Sequence, residues 1–166
     1  MANTPKDTLA SWLKDAHAMK SARVENLERQ VERYDEFPEF KHKLSEHVSH
    51  SKTQIGELER CLQQLGADTS TIKEGASKVA SKLQGWTVAA APDEVVKNCI
   101  ANDAFAEFEA ASFESLSVAA AQCGEPQIAE VCSRMRDQER EMADWFQTEL
   151  PKITQGYIAQ QSQQAR

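Results

Sequence analysis

The chain has 166 residues, room for one compact domain, and carries 19 Lys and Arg against 26 Asp and Glu, a net charge of −7. That balance argues against binding duplex nucleic acid, which needs a basic footprint, and no basic arm stands at either end. No run approaches the ~18–20 apolar residues of a membrane span, and Met1 to Asp7 lacks the apolar stretch of a secretory signal.

Thr4-Pro5-Lys6-Asp7 reads as a helix start, with Thr as N-cap, Pro at the first helical position and an acid in the first turn. Leu9, Leu13, Ala16, Lys20, Val24, Leu27, Val31 and Tyr34 then recur at three- and four-residue steps, one face of a helix of about thirty residues. Asp35-Glu36-Phe37-Pro38 breaks it, because the residue before a proline is pushed out of helical geometry. A second helix carries Phe40, Leu44, His47, Val48, Ser51, Ile55, Leu58, Leu62 and Leu65, and Gly66 caps it.

Residues 67–91 form a connection too long for a hairpin loop, with a short helix expected from about Asp68 to Lys82. A third helix is expected from Pro92 to Gln122, with Val95, Val96, Ile100, Phe105, Phe108, Ser112, Leu116 and Ala119 inward. After the turn Cys123-Gly124-Glu125-Pro126, a fourth helix places Ile128, Val131, Cys132, Met135, Glu139, Met142, Trp145, Phe146 and Leu150 inward. Pro151 marks its end or a kink, and the Gln-rich tail 155–166 reads as frayed. The whole, residues 1–166, reads as a single all-α domain. Two hairpins joined by one long crossover is the connectivity of a ferritin-like antiparallel four-helix bundle.

Cys61, Cys99, Cys123 and Cys132 include no C-x-x-C pair, so free thiols in a reducing cytoplasm are expected. Cys123 and Cys132 flank a turn, and read as small buried residues.

Polar residues interrupt the apolar stripes. Lys20 lies among Leu13, Ala16, Val24 and Leu27, Glu139 between Met135 and Met142, and Glu109 at the edge of the third stripe. His47 and His50 lie on or beside the second stripe, whereas His17 and His42 read as surface histidines. Each of Lys20, Glu109, Glu139 and the His47/His50 pair falls near mid-helix, so antiparallel packing brings them to similar heights. Buried carboxylates need a cation between them, and helical bundles supply one as metal held by Glu and Glu-x-x-His sets. An ammonium from Lys20 is a second solution; snorkelling of Lys20 and Glu139 to a solvated edge is a third.

Trp12 to Met19, Glu46 to Ser49, Lys52 to Ile55, Phe105 to Glu109 and Met142 to Trp145 closely resemble the YciE/YciF family of ferritin-like bacterial stress proteins, on its YciE side. The resemblance covers about residues 9–157, the crossover included. It implies a four-helix bundle, usually a homodimer, associated with stress responses. It also implies, for some relatives, a di-iron site with Glu on helices one and two, Glu-x-x-Glu on helix three and Glu on helix four. At those positions this sequence has Lys20, His50 (with Thr53 three residues on), Ala106 and Glu109, and Glu139, with Met142 where related bundles place a His.

The reading is therefore a stress-associated protein with a degenerate di-metal site, non-catalytic and structural or interactive in role. No cofactor and no catalytic residue is expected, with salt bridges among Lys20, Glu109 and Glu139 in place of metal. The alternative is a metal-dependent oxidoreductase or iron-handling protein holding a single Fe, Mn or Zn ion on His50, Glu109 and Glu139. A homodimer is expected, with Trp86, Val88 and Ala89 to Ala91 as candidate surface, no nucleic acid or membrane as partner, and a protein partner the sequence does not name. No hydrolase motif is present.

Overall fold

The structure, a computed structural model, describes residues 4–68 and 91–165. Among them are four helices and no strand: α1 (Pro5–Val31), α2 (Pro38–Gln64), α3 (Glu94–Gln122) and α4 (Pro126–Gln164). The short helix expected at 68–82, like Trp86 and Val88, lies almost wholly outside the described residues. None of the helices is long and apolar enough to cross a membrane.

Local chemistry sets the ends. Thr4 and Asp7 form a capping box: Thr4 Oγ1 accepts from the Asp7 N–H at 3.1 Å and Asp7 Oδ2 accepts from the Thr4 N–H at 2.9 Å. Pro38 and Pro126 start α2 and α4, where a missing N–H costs nothing. Gly66 and Gly124, at φ +65° and +74°, close α2 and α3. The N–H groups of Ala67 and Glu125 reach back to the carbonyls of Leu62 and Ala120 at 3.0 and 2.9 Å, the bond that caps a helix after a left-handed residue.

Antiparallel pairs α1/α2 and α3/α4 form two hairpins. His17 meets Glu59 at 3.0 Å and Lys52 meets Glu28 at 2.6 Å in the first; Arg136 meets Glu114 at 2.7 Å in the second. Between hairpins, Gln54 donates to Gln138 at 2.9 Å, and Lys6 meets Glu125 at 2.7 Å. These pairings make α2 antiparallel to α4 and α1 parallel to α4, so α2 and α3 run parallel. Gln64 and Glu94 therefore lie at opposite ends of the bundle, about 40 Å apart at 1.5 Å per residue, which is why the connection between them is long.

The core has two apolar halves. Leu9, Leu13, Leu58, Leu62, Phe113, Ile128 and Met135 fill one end. Val24, Leu27, Phe40, Leu44, Cys99, Phe146 and Ile153 fill the other. All four cysteines are free, Cys61, Cys99 and Cys132 buried and Cys123 half-buried.

Four details differ from the sequence reading. Helix α1 stops at Val31, and Tyr34 is instead buried in the following turn. Its hydroxyl accepts from Asn98 Nδ2 at 2.5 Å and donates to Glu94 Oε1 at 3.2 Å, fixing the turn against α3. Tyr34→Phe is expected to lower the unfolding free energy by about 1–2 kcal/mol, read from the urea midpoint. Helix α3 begins at Glu94 rather than Pro92. Ile100 and Phe108 of α3 point outward, whereas Asn98, Asn102, Ala106, Glu109 and Phe113 face in.

The fourth difference is at the C-terminus. Helix α4 does not end at Pro151 but continues through it to Gln164. Pro151 is exposed, and so is Gln147, whose carbonyl the proline leaves without its helical partner. Ile153 is buried and Tyr157 packs against the same core half, which holds the last turns down.

Candidate functional site

Between the two apolar halves lies a layer of buried charge to which every helix contributes. Lys20 and Arg23 come from α1, His47 from α2, Glu109 from α3 and Glu139 from α4. All five are buried to 2% exposure or less. Lys20 and Arg23 share a face because residues three apart on a helix do.

Lys20 Nζ sits between the carboxylates, 2.8 Å from Glu139 Oε1 and 3.2 Å from Glu109 Oε1. Glu139 Oε2 accepts a second bond, from His47 Nε2 at 3.0 Å, which fixes His47 as the Nε2–H tautomer when neutral. Arg23 Nε is 3.9 Å from Glu109 Oε2, too far for a hydrogen bond, and its guanidinium lies over the Phe105 ring at 4.9 Å. With both carboxyls ionised and His47 neutral, two cations face two anions and the layer is electroneutral.

The two carboxylates differ in environment. Burial by itself disfavours the charge on Glu139, but Lys20 and the His47 hydrogen bond outweigh it and hold the carboxyl well below the usual range. Glu109 accepts no hydrogen bond of normal geometry. Burial dominates there, the charges of Lys20 and Arg23 only partly oppose it, and the carboxyl is pushed up to about 7. Burial likewise pushes His47 down to about 4, against the pull of Glu139.

A polar cluster continues along α1 and α3 towards one end of the bundle. Gln30 Nε2 donates to Asn26 Oδ1 at 2.6 Å, and Asn102 Nδ2 donates to Gln30 Oε1 at 2.9 Å. These buried amides satisfy one another across the α1–α3 contact.

Lys20, Glu109 and Glu139, singled out in the sequence, thus converge. His50 does not: it is exposed on the outside of α2. The histidine in the layer is His47, three residues earlier and on the apolar stripe. His17, expected at the surface, is buried and contacts Glu59. Arg23 was missed, although its spacing from Lys20 was signal enough.

His47, Glu109 and Glu139 bring one ligand-type atom each within 4.8 Å of one another, so among the described residues they form a group that could hold a metal ion. A two-ion centre does not fit. Two divalent ions need several anionic ligands between and around them. Here two carboxylates are matched by two buried cations, and the Lys20 ammonium stands between them.

The sequence matches the family described as a domain of unknown function, DUF892, over residues 4–159. It is also similar to a protein of known crystal structure from Xanthomonas campestris pv. campestris. The two are 27% identical, with a TM-score of 0.81 over 96% of this chain and 99% of the other. That likeness supports the four-helix architecture.

Proposed function

This chain belongs to the DUF892 family, and we infer that it is a ferritin-like structural and interaction protein of the YciE/YciF kind, cytoplasmic and associated with bacterial stress. In this reading the di-metal site of such bundles is closed by salt bridges, and the protein acts by association with itself or with other proteins rather than by catalysis. One observation carries it: Lys20 Nζ bridges Glu109 and Glu139 at 3.2 and 2.8 Å in the middle of the core. An ammonium in that position hydrogen-bonds Glu139, forms an ion pair with Glu109, repels a dication and cannot itself ligate while protonated.

The test is metal content by mass spectrometry, on protein made in iron- and manganese-supplemented medium and purified without chelator. Less than about a tenth of an equivalent is expected in the parent. In Lys20→Glu, which removes the ammonium and adds a carboxylate, bound metal is expected to rise. One tight equivalent in the parent overturns the reading.

A second reading rests on the convergence of His47, Glu109 and Glu139 within 4.8 Å. Two carboxylates and one imidazole suit a single Fe, Mn or Zn ion, provided Lys20 withdraws. The same measurement decides between the two, and His47→Ala then removes the metal if this second reading holds.

A further inference from the structure

The apolar half of the core between the charged layer and the turn at Gly124 is rich in sulfur. Three of the chain's four cysteines and two of its four methionines belong to it or pack against it. Met19, Cys61, Cys132 and Met135 are buried to 6% exposure or less, and Cys123 is half-buried at the end of α3. Cys132 and Met135 share a face of α4, three residues apart. The pairs Lys6–Glu125 and Lys20–Glu139 each join residues 119 apart. That register sets Cys132 level with Leu13 of α1, and Met135 level with Ala16, one turn short of Met19. Glu57 meets Arg134 across α2 and α4, so Cys61, one turn further along α2, comes level with the turn of α4 that holds Cys132.

We propose that this half of the core binds one Cu(I) ion, with Cys61, Cys132 and Met135 as its ligands and Met19 beside them. The site is independent of how the charged layer is read, because none of these sulfurs belongs to that layer. Thiols and thioethers are soft donors and select a soft ion. Zinc is held by Cys, His and carboxylate rather than by thioether, so a set that includes Met135 favours copper in its reduced state.

The charges agree. Burial pushes the Cys61 thiol up to about 11 and the Cys132 thiol up to about 12, the second raised further by its nearness to the first. Both are therefore protonated before the ion arrives. As Cu(I) enters, one S–H bond breaks, one Cu–S bond forms and the proton leaves to solvent. One positive charge replaces another and no electron moves, so the hydrocarbon gains no net charge. The second thiol and the Met135 thioether complete the set as neutral donors. Cys123, half-buried and packed against the same half at the end of the bundle, offers a first thiol from which the ion passes inward by ligand exchange.

The test is an anaerobic titration of the full chain with Cu(I) in competition with bicinchoninate, a chromophoric Cu(I) chelator. The wild type is expected to withhold about one equivalent from the chelator. Cys61→Ala combined with Cys132→Ala is expected to lose it. Met135→Leu, which nearly keeps the side-chain volume, is expected to weaken binding by about tenfold or more. Cys99→Ala, in the other half of the core, and Cys123→Ala are expected to keep the full equivalent. So is His47→Ala, which alters the charged layer alone. Should the double cysteine variant misfold, Met135→Leu decides. X-ray absorption at the copper edge is expected to show sulfur neighbours only. No copper withheld by the wild type overturns the proposal, as does binding that survives the double variant or is unchanged in Met135→Leu. Copper lost with Cys123 belongs to a surface thiol, and copper lost with His47 belongs to the charged layer; either result overturns it too.

Discussion

Replacing Lys20 by Met is expected to lower the unfolding free energy by about 3–5 kcal/mol, measured by urea denaturation at pH 8. Met has nearly the volume of Lys, so the loss is not one of packing. It comes from leaving Glu109 and Glu139 in the core with Arg23 alone against them, and Arg23 lies 3.9 Å from the nearer carboxylate. Pairing Lys20→Met with Glu139→Gln is expected to recover most of the loss. The double variant keeps one cation and one carboxylate, and the Gln side chain can still accept from His47. A loss below about 1 kcal/mol in the single variant would mean that the ammonium does not neutralise the carboxylates in solution.

The pH dependence of stability is the second large effect, and it should be hidden in the wild type. Glu109 has its folded-state value raised from 4.5 to about 7. It therefore favours folding most in acid, and that contribution is lost as pH rises through 7. His47 has its value lowered from 6.5 to about 4. Its neutral, buried form favours folding above 6.5, and that contribution is lost as pH falls towards 4. Between pH 4.5 and 6.5 the folded protein holds one extra proton on Glu109 and lacks one on His47, so the two slopes cancel. Stability should be nearly flat there.

Glu109→Gln removes one slope and exposes the other. That variant is expected to lose about 1.4 kcal/mol per pH unit as pH falls from 6.5 to 4. Below pH 4.5 a further loss should appear in every form that keeps Glu139, whose folded value is depressed. A Glu109→Gln protein as flat as the wild type would place His47 in a far more polar setting than the one described.

Much of this was legible in the residues. Breakers at Phe37-Pro38, Gly66 and Gly124-Glu125-Pro126 divide the chain into its helices, because proline and a left-handed glycine act locally. Lys20 and Glu139 announced themselves as charges on otherwise apolar stripes. Glu109 was misjudged as an edge residue for a physical reason. Helix α3 is apolar on both faces, so periodicity cannot choose between the set with Ile100 and Phe108 and the set with Phe105 and Phe113. Family position points to His50, whereas the apolar spacing of α2 points to His47, and His47 is the one in the layer. At Pro151 the local rule for proline offers an end or a kink, and the end is overridden by the docking of Ile153 and Tyr157 on the core.

The charged layer has a consequence for alignment. Apolar side chains are nearly interchangeable partners, and two greasy hairpins could slide past each other by one turn, about 5.4 Å, at little loss of buried area. The layer forbids that slip. A one-turn shift would carry Glu109 and Glu139 away from Lys20 and against the apolar stripes of the other hairpin, towards Leu13 and Leu58 or towards Leu27 and Leu44. Either misalignment strands bare charge in hydrocarbon, so a few ionic contacts at mid-height specify a single register for the whole bundle.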